Sequence, residues 1–278
     1  MPRDLKPHES CERSIIKTYR RDIWNPFIIA LKDYRLINSG DKVAVCISGG
    51  KDSMLLAKLI QQLKKYSEVP FEVEYIVMDP GYNEANRRKI EQNADLLKVP
   101  IKIFETNIFK VANKAEKSPC YLCARMRRGH LYKIAKDLGC NKIALGHHFN
   151  DVIETTLIAM FYGSQLQSML PKLKSTNFEG MELIRPMYLI HESAIINWKN
   201  YNNLEFIDCA CRFTEGVSRG QLSSKRSEIK QLIASLKKTN PNIEKSIFNS
   251  LSSVCLDTFL GYKSKGAEHS FLDNYDEL

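Results

Sequence analysis

The chain has 278 residues, 44% of them hydrophobic, with a net charge of +9 and eight cysteines. That length and apolar content support one large domain, or one domain with a smaller appendage, built on a sizeable core. No run approaches the length of a membrane span, and the polar stretch Met1 to Ser10 lacks the apolar segment of a secretory signal, so a cytoplasmic protein without membrane association is expected. There, eight cysteines point to metal or redox chemistry rather than structural disulfides, and the positive charge suits a polyanionic partner, nucleic acid first.

Residues 13 to 36 read as a basic amphipathic helix with Ile15, Ile16, Tyr19, Ile23, Phe27, Ile28 and Leu31 on one side and Pro26 as a point of kinking or division. Val43 to Ile47 reads as a buried strand, and Ser53 to Lys65 as a helix with Leu55, Leu56, Leu59, Ile60 and Leu63 at helical spacing. Strand patterns follow at Phe71 to Met78, Pro100 to Glu105 and Lys142 to Leu145. Between and after them, helical patterns run over Asn86 to Lys98, Ile108 to Ala115, Tyr121 to Leu138 and Asp151 to Phe161. This alternation implies an α/β fold: a parallel twisted sheet with helices on both faces, binding its ligands at the carboxyl ends of the strands. Lys172 to Gly180 reads as a polar loop, Leu183 to Met187 as a short strand and Ser193 to Tyr201 as a helix. Cys209 to Cys211 falls in a loop, and Ser224 to Lys238 and Pro241 to Leu260 are the last helical segments. The expected organisation is an N-terminal helical segment (1–40), a main domain (41–260) and an aperiodic, mobile tail (261–278).

The first chemical signal is Ser48-Gly49-Gly50-Lys51-Asp52-Ser53, between a strand end and a helix start. A glycine turn there presents bare backbone N–H groups and the positive end of a helix dipole to an anion. Ser48 and Ser53 add hydroxyl donors, Lys51 a cation, and Asp52 a carboxylate able to hold a metal on phosphates. The spacing is not that of a Walker A loop. Two further segments, Asp79–Tyr82 and Gly146–Asp151, fall at strand carboxyl ends; the latter holds the pair His147 and His148.

The second signal is Cys120-Tyr121-Leu122-Cys123 at a helix start, followed by Arg125, Arg127 and Arg128. A helix N-terminus and nearby arginines favour thiolate, and thiolates bind iron–sulfur clusters or zinc. Two cysteines are too few for either site, and Cys209 and Cys211 are the natural source of more. Cys46 and Cys140 read as packed, Cys255 and the pair Met160–Phe161 as core, Cys11 as exposed, and the arginines as phosphate contacts at the site entrance.

The Ser48–Ser53 segment resembles the pyrophosphate loop (PP-loop) of the ATP pyrophosphatase superfamily, with its adenine nucleotide alpha hydrolase-like fold. From about Ser14 to Leu236 the chain is similar to the tRNA 2-thiocytidine synthetase (TtcA) family. That likeness rests on Cys120 through Lys142-Ile143-Ala144-Leu145-Gly146-His147-His148, on Met160-Phe161-Tyr162-Gly163, on Leu170-Pro171-Lys172-Leu173, on Ile184-Arg185-Pro186 and on Asp79-Pro80-Gly81-Tyr82. The resemblance implies an ATP- and Mg2+-dependent enzyme that adenylates a cytosine of the tRNA anticodon loop and replaces its oxygen with sulfur. It implies a [4Fe–4S] cluster on three cysteines, and a sulfur donor system such as a cysteine desulfurase; a homodimer is left open. Carried over by motif, Ser48, Gly49, Gly50, Lys51, Asp52, Ser53, Asp79, Gly146 and His147 hold the nucleotide, and Asp151 and Glu154 belong to the same constellation. The resemblance also implies that Cys120 and Cys123, which match the family's Cys-x-x-Cys, hold the cluster together with Cys211, and that Asp52, Asp151, Cys120 and Cys211 are the catalytic set.

The chain departs from that family's pattern twice. Asn150-Asp151 stands in place of Asp-Asp, and Asp208-Cys209-Ala210-Cys211-Arg212-Phe213 in place of a Pro-Cys-x-x-Cys-Gly sequence. Cys211-Arg212-Phe213 resembles the arrangement of related thiolases, which place the ligand Cys two residues before an aromatic, and that likeness favours Cys211 as the third ligand. A four-cysteine zinc site that includes Cys209 competes with it. The rival functions are thiolation of another tRNA base through a persulfide, an amide-forming ATP pyrophosphatase, and a non-catalytic zinc-stapled RNA-binding module.

Overall fold

The computed structural model describes residues 5–112, 119–207 and 222–277. Its centre is a six-stranded sheet built from β1 (Lys42–Ile47), β2 (Glu72–Asp79), β3 (Ile101–Glu105), β4 (Lys142–Ala144), β5 (Lys172–Lys174) and β6 (Glu182–Ile184), in the order β3-β2-β1-β4-β6-β5. All neighbours are parallel except the edge pair β5–β6. The chain leaves β1 toward β2 and β3 on one side, then crosses back to β4 on the other. The carboxyl ends of β1 and β4 therefore flank the point where the strand order reverses, where such sheets form their binding crevice.

Strand side chains alternate between faces, and β1 divides accordingly. Val43, Val45 and Ile47 join the larger core with α3 (Lys51–Tyr66), whose Leu55, Leu56 and Leu59 are fully buried. Ala44 and Cys46 face the opposite core, against Tyr132 and Ala135 of α6 (Pro119–Asp137). The N-terminal helices α1 (Pro7–Ile16) and α2 (Asn25–Asp33) contribute Cys11, Ile15 and Phe27 to the larger core, as does α8 (Glu192–Tyr201) through Trp198. The remaining helices are α4 (Glu84–Leu97), α5 (Ile108–Ala112), α7 (Phe149–Gly163), α9 (Leu222–Thr239) and α10 (Ile243–Ser250).

Several expectations need correction. The single helix over 13–36 is α1, a π-helical turn (Arg20–Trp24) and α2, because Pro26 falls in the first turn of α2, where its missing N–H costs nothing. The polar stretch after Lys172 opens with β5, a strand too short and too charged to show alternation, and the strand expected over Leu183–Met187 ends at Ile184. The helix expected over 241–260 stops at Ser250. The tail expected to lack regular structure forms a hairpin, Gly261–Ser264 with Ala267–Ser270, around Lys265 and Gly266. Both turn residues have positive φ (52° and 84°), the backbone of a two-residue turn that matches strand twist. Cys11 is buried rather than exposed and Cys255 exposed rather than core, while Cys46 and Cys140 are buried. Met160 and Phe161 are half exposed, because α7 buries its other side.

One buried charge ties the N-terminal helices to the sheet. Lys58 of α3 is fully enclosed. Its ammonium donates to Glu12 Oε1 at 2.8 Å, Gln61 Oε1 at 2.7 Å and the Leu97 carbonyl at 2.8 Å, so all three protons have acceptors. Burial alone would raise the Glu12 carboxyl, but hydrogen bonds from Lys58 and Lys65 outweigh it and hold the group at about 2. A depressed carboxyl contributes stability above its unfolded pKa that is lost as pH falls through the folded one. We expect stability to fall between pH 4.5 and about 2 in the wild type, and to fall by less in Glu12→Ala, where Glu192 still titrates over the same range. Glu12→Ala should also cost about 3 kcal/mol in urea denaturation at neutral pH, because it strands a buried ammonium. Lys65→Ala, at an exposed pair, should cost under about 1 kcal/mol.

Candidate nucleotide site

The site begins where β1 ends. Gly49 has φ +88°, and a Cβ there would sit 2.6 Å from both Ile207 Cδ1 and Ile90 Cγ1, so glycine is required by backbone and by space. Gly50 is the N-cap of α3, and it has no side chain to occupy the helix's free N–H groups. Ser53 closes the turn: its hydroxyl donates to the Gly50 carbonyl at 3.0 Å and accepts from the Ser48 N–H at 3.1 Å, with Ser48 Oγ 3.2 Å away.

The second wall comes from the end of β4. A Cβ on Gly146 would lie 3.0 Å from the Asp52 carbonyl carbon and 3.1 Å from the Ser53 nitrogen, so β4 and the first turn of α3 touch backbone to backbone. His148 caps α7, with Asp151 N–H donating to its Nδ1 at 3.4 Å and its own N–H donating to Asp151 Oδ2 at 3.0 Å. Between the two walls lies a cleft of about 310 Å³. Ser48, Asp52, Ser53, Gly146, His147 and Asp151 line it, and Arg127 faces them from α6.

The charges around the cleft are mostly paired. Lys51 Nζ lies 3.2 Å from Asp52 and 3.2 Å from Glu192 of α8. Burial would lower its pKa, but those two carboxylates outweigh burial and raise it. Arg226 of α9 donates to Asp151 Oδ1 at 2.6 Å and to Glu154 Oε2 at 2.7 Å, and Lys230 reaches Glu192 Oε2 at 2.9 Å. His147 is pushed down to about 4, first by burial and then by the Arg185 and Arg226 charges against the opposing pull of Asp151. It is therefore neutral near pH 7, and its Nδ1 accepts from Arg185 Nε at 3.3 Å.

The described residues fit a nucleotide's phosphates through the open α3 N-terminus and the closely approached glycines. They also fit a divalent cation. Asp52 Oδ1 is buried and accepts no hydrogen bond of good geometry; its neighbours are the Lys51 ammonium at 3.2 Å, which also bonds Oδ2, and His148 Nε2 at 3.9 Å. A buried carboxylate oxygen whose near partner is a mobile lysine can exchange that ammonium for a divalent cation.

Asp79 stands apart from this group. Its Oδ1 accepts from the Gly81 and Tyr82 N–H groups at 2.8 and 2.7 Å, and its Oδ2 pairs with Arg87 at 2.8 Å, so the carboxylate organises the turn after β2 and lines a separate hollow. Cys123 is buried near the start of α6 among Met78, Ile108, Phe109 and Ala112. The Cys120 side chain and the whole of Cys209 and Cys211 lie outside the described residues. Among the described residues no group of three or more metal-ligating side chains converges.

Sequence reasoning missed Glu192, Arg226 and Lys230. The only signal for the last two was the pair Ile229 and Ile233, buried against Phe149 and Ile153, which sets the adjacent 226/230 row toward the start of α7. The departure at Asn150 has a structural reason: its Oδ1 accepts from the Glu192 N–H at 2.9 Å while its amide donates to Glu244 at 3.1 Å. Aspartate could make only the first bond and would repel Glu244.

The Gly146 contact is testable. Gly146→Ala must force β4 and α3 apart, so ATP affinity by calorimetry should fall at least about tenfold, with a stability loss of about 1–3 kcal/mol. Gly129→Ala, in α6 with nothing within 4 Å, should leave both unchanged or raise stability slightly.

Comparison with known proteins places this geometry. The model of the PP-loop domain family matches residues 24–224. The tRNA-cytidine(32) 2-sulfurtransferase of Coxiella burnetii (strain RSA 331 / Henzerling II) is 36% identical over 231 residues, covering 81% of this chain and 86% of the relative. That of Geotalea uraniireducens (strain Rf4) is 34% identical over 229 residues, covering 81% and 88%. Among solved structures, the U34-tRNA thiolase NcsA from Methanococcus maripaludis, with its [4Fe–4S] cluster, superposes with a TM-score of 0.65 at 21% identity, over 83% of this chain and 77% of that one, a likeness of fold. The chain belongs to the PP-loop domain family and, within it, to the family of the tRNA-cytidine(32) 2-sulfurtransferases.

Proposed function

We propose that the chain is an ATP-dependent tRNA sulfurtransferase that replaces O2 of an anticodon-loop cytidine with sulfur, giving 2-thiocytidine. The observation that carries the reading is the cleft between the ends of β1 and β4, where a glycine turn at a helix N-terminus, a buried carboxylate beside Lys51 and a neutral imidazole face one another. Family membership supplies the substrate class.

The residues divide the work. The N–H groups at the start of α3 and the Ser48 hydroxyl take the phosphates, Ser53 braces the turn through the Gly50 carbonyl, and Lys51 is the mobile cation beside them. Asp52, with Asp151 across the cleft, is the carboxylate set we assign to Mg2+, which when bound neutralises phosphate charge. The cytosine O2 attacks the α-phosphorus as the bond to the pyrophosphate oxygen breaks, a transfer that needs in-line positioning and charge neutralisation more than covalent help. His147 stays neutral, so it adds no positive charge beside Arg185. A sulfur nucleophile then displaces AMP at C2. We assign Cys120, Cys123 and Cys211 as the thiolates that would hold the cluster, and the transferred sulfur itself would come from a cysteine-desulfurase-type donor. Arg127, in the cleft wall, is placed to meet RNA or nucleotide phosphate. The target base must leave its stack to enter, which a single-stranded loop allows at low cost.

With purified chain, tRNA and ATP, Asp52→Ala should lower AMP formation by about 100-fold or more, the scale of losing a transition-state charge contact. Its thermal midpoint should hold, because Asp52 packs against no core residue; AMP formation at the wild-type rate would remove the residue from the mechanism. Binding of tRNA to the wild-type chain should weaken steeply between 50 and 200 mM salt as counterions compete for the phosphates. A flat salt profile would exclude phosphate-dominated recognition.

A further inference from the structure

One surface leads to the cleft without being part of it. Met160, Phe161 and Tyr162 at the end of α7 are 52%, 52% and 42% exposed, and Leu166 and Leu170 in the following loop are 56% and 60% exposed. Isolated apolar residues on a surface are ordinary, but a contiguous patch marks a binding site. The loop folds back along its own helix, so the segment that carries Leu166 runs beside the last turns of α7. The Gln165 N–H donates to the Ala159 carbonyl at 3.1 Å, and Thr156 Oγ1 donates to Ser168 Oγ at 2.8 Å. The far end of the strip reaches the cleft through Arg185, whose guanidinium donates to the Leu170 carbonyl and to His147 Nδ1.

The strip is apolar and cationic together. No Asp or Glu occurs between Glu154 and Glu179, a span that carries Lys172 and Lys174. Lys225 of α9 lies 4.9 Å from the centre of the Tyr162 ring. The acidic group found on the strip is Glu228, which is engaged by the Tyr162 hydroxyl. Half-exposed rings beside ammonium groups are what successive unpaired bases and their phosphates require: a π face to stack on and a cation for the backbone. The strip itself carries no charged residue from Phe161 to Leu170, and the cations beside it are Lys225 at the Tyr162 ring and Arg185 at the Leu170 carbonyl.

We propose that the strip from Phe161 to Leu170, with Lys225, is the platform on which the unpaired nucleotides flanking the target base stack while that base occupies the cleft. The proposal rests on the sulfurtransferase reading and gives its RNA substrate a second contact. About ten helical residues separate Asp151 from Phe161, or about 15 Å along α7, a distance that a few extended nucleotides span. Flanking nucleotides held there orient the loop, so that one position of it reaches the Asp52 carboxylate.

The test is fluorescence anisotropy with a labelled anticodon stem-loop RNA, alongside ATP calorimetry and light scattering on the same full-length chains. Phe161→Ala and Phe161→Leu should each weaken RNA binding about tenfold, the scale of one lost base–aromatic stack, with ATP affinity and the thermal midpoint unchanged. The leucine variant keeps the apolar surface and removes the ring, so it separates stacking from simple burial. RNA affinity unchanged in both variants overturns the proposal. So does a wild-type dimer that becomes a monomer in Phe161→Ala, which would make the strip a contact between copies of the chain. A wild-type chain with no affinity for the RNA would overturn the sulfurtransferase reading itself, whereas intact wild-type binding with insensitive variants overturns the platform alone.

Discussion

The site depends on one close contact, the backbone of Gly146 against the first turn of α3. Two parallel strands end side by side at the point where the sheet reverses its order, and the absence of a side chain at 146 lets the end of β4 rest on the Asp52 and Ser53 backbone. That contact places the α7 cap, His148 with Asp151, opposite the α3 N-terminus. It puts a carboxylate from each helix start on the same cleft. Asp52 and Asp151 are 99 residues apart in sequence, and the packing of a glycine brings them together.

The second constraint is electrostatic. Four carboxylates, Asp52, Asp151, Glu154 and Glu192, surround a site that is read as binding a polyphosphate, an arrangement that would repel the ligand if left bare. Lys51, Arg226 and Lys230 offset them. The cations come from α3 and α9, so α9 is part of the site although it follows the last sheet strand by more than thirty residues. An arginine shared by Asp151 and Glu154 also fixes both side chains in one geometry, which Lys would do less well because its ammonium lacks the planar fork. The exposed ring of Phe161 on the same helix then extends the site outward in a direction that favours RNA over a small substrate.

Much of this was legible in the chain because local rules and the fold agree. The run from Val43 to Ile47, the glycine turn and the leucines of α3 specify strand, loop and helix without outside help, and the alternation of elements specifies a parallel sheet. The pairing of β1 with β4 was not legible, since nothing in either segment names its partner. Arg226 and Lys230 belong to no motif, and their role appears only once Ile229 and Ile233 are seen packed on α7. Asp79 shows what a motif's position leaves out. Its motif sits at a strand end, but its oxygens are spent on Gly81, Tyr82 and Arg87. The exposed state of Phe161 was hidden because an amphipathic helix end and a core helix end share one apolar pattern. The hairpin near the C-terminus was missed because its strands are four residues each and mostly polar.

The central claim is that this cleft thiolates a tRNA cytidine. Nucleoside mass spectrometry of bulk tRNA tests it most directly, in cells lacking the chain and in the same cells complemented with the wild-type or the Asp52→Ala form. The account requires 2-thiocytidine to vanish on deletion, return with the wild-type chain and stay absent with Asp52→Ala. Unchanged 2-thiocytidine in the deletion, or loss of a different thionucleoside in its place, would contradict it.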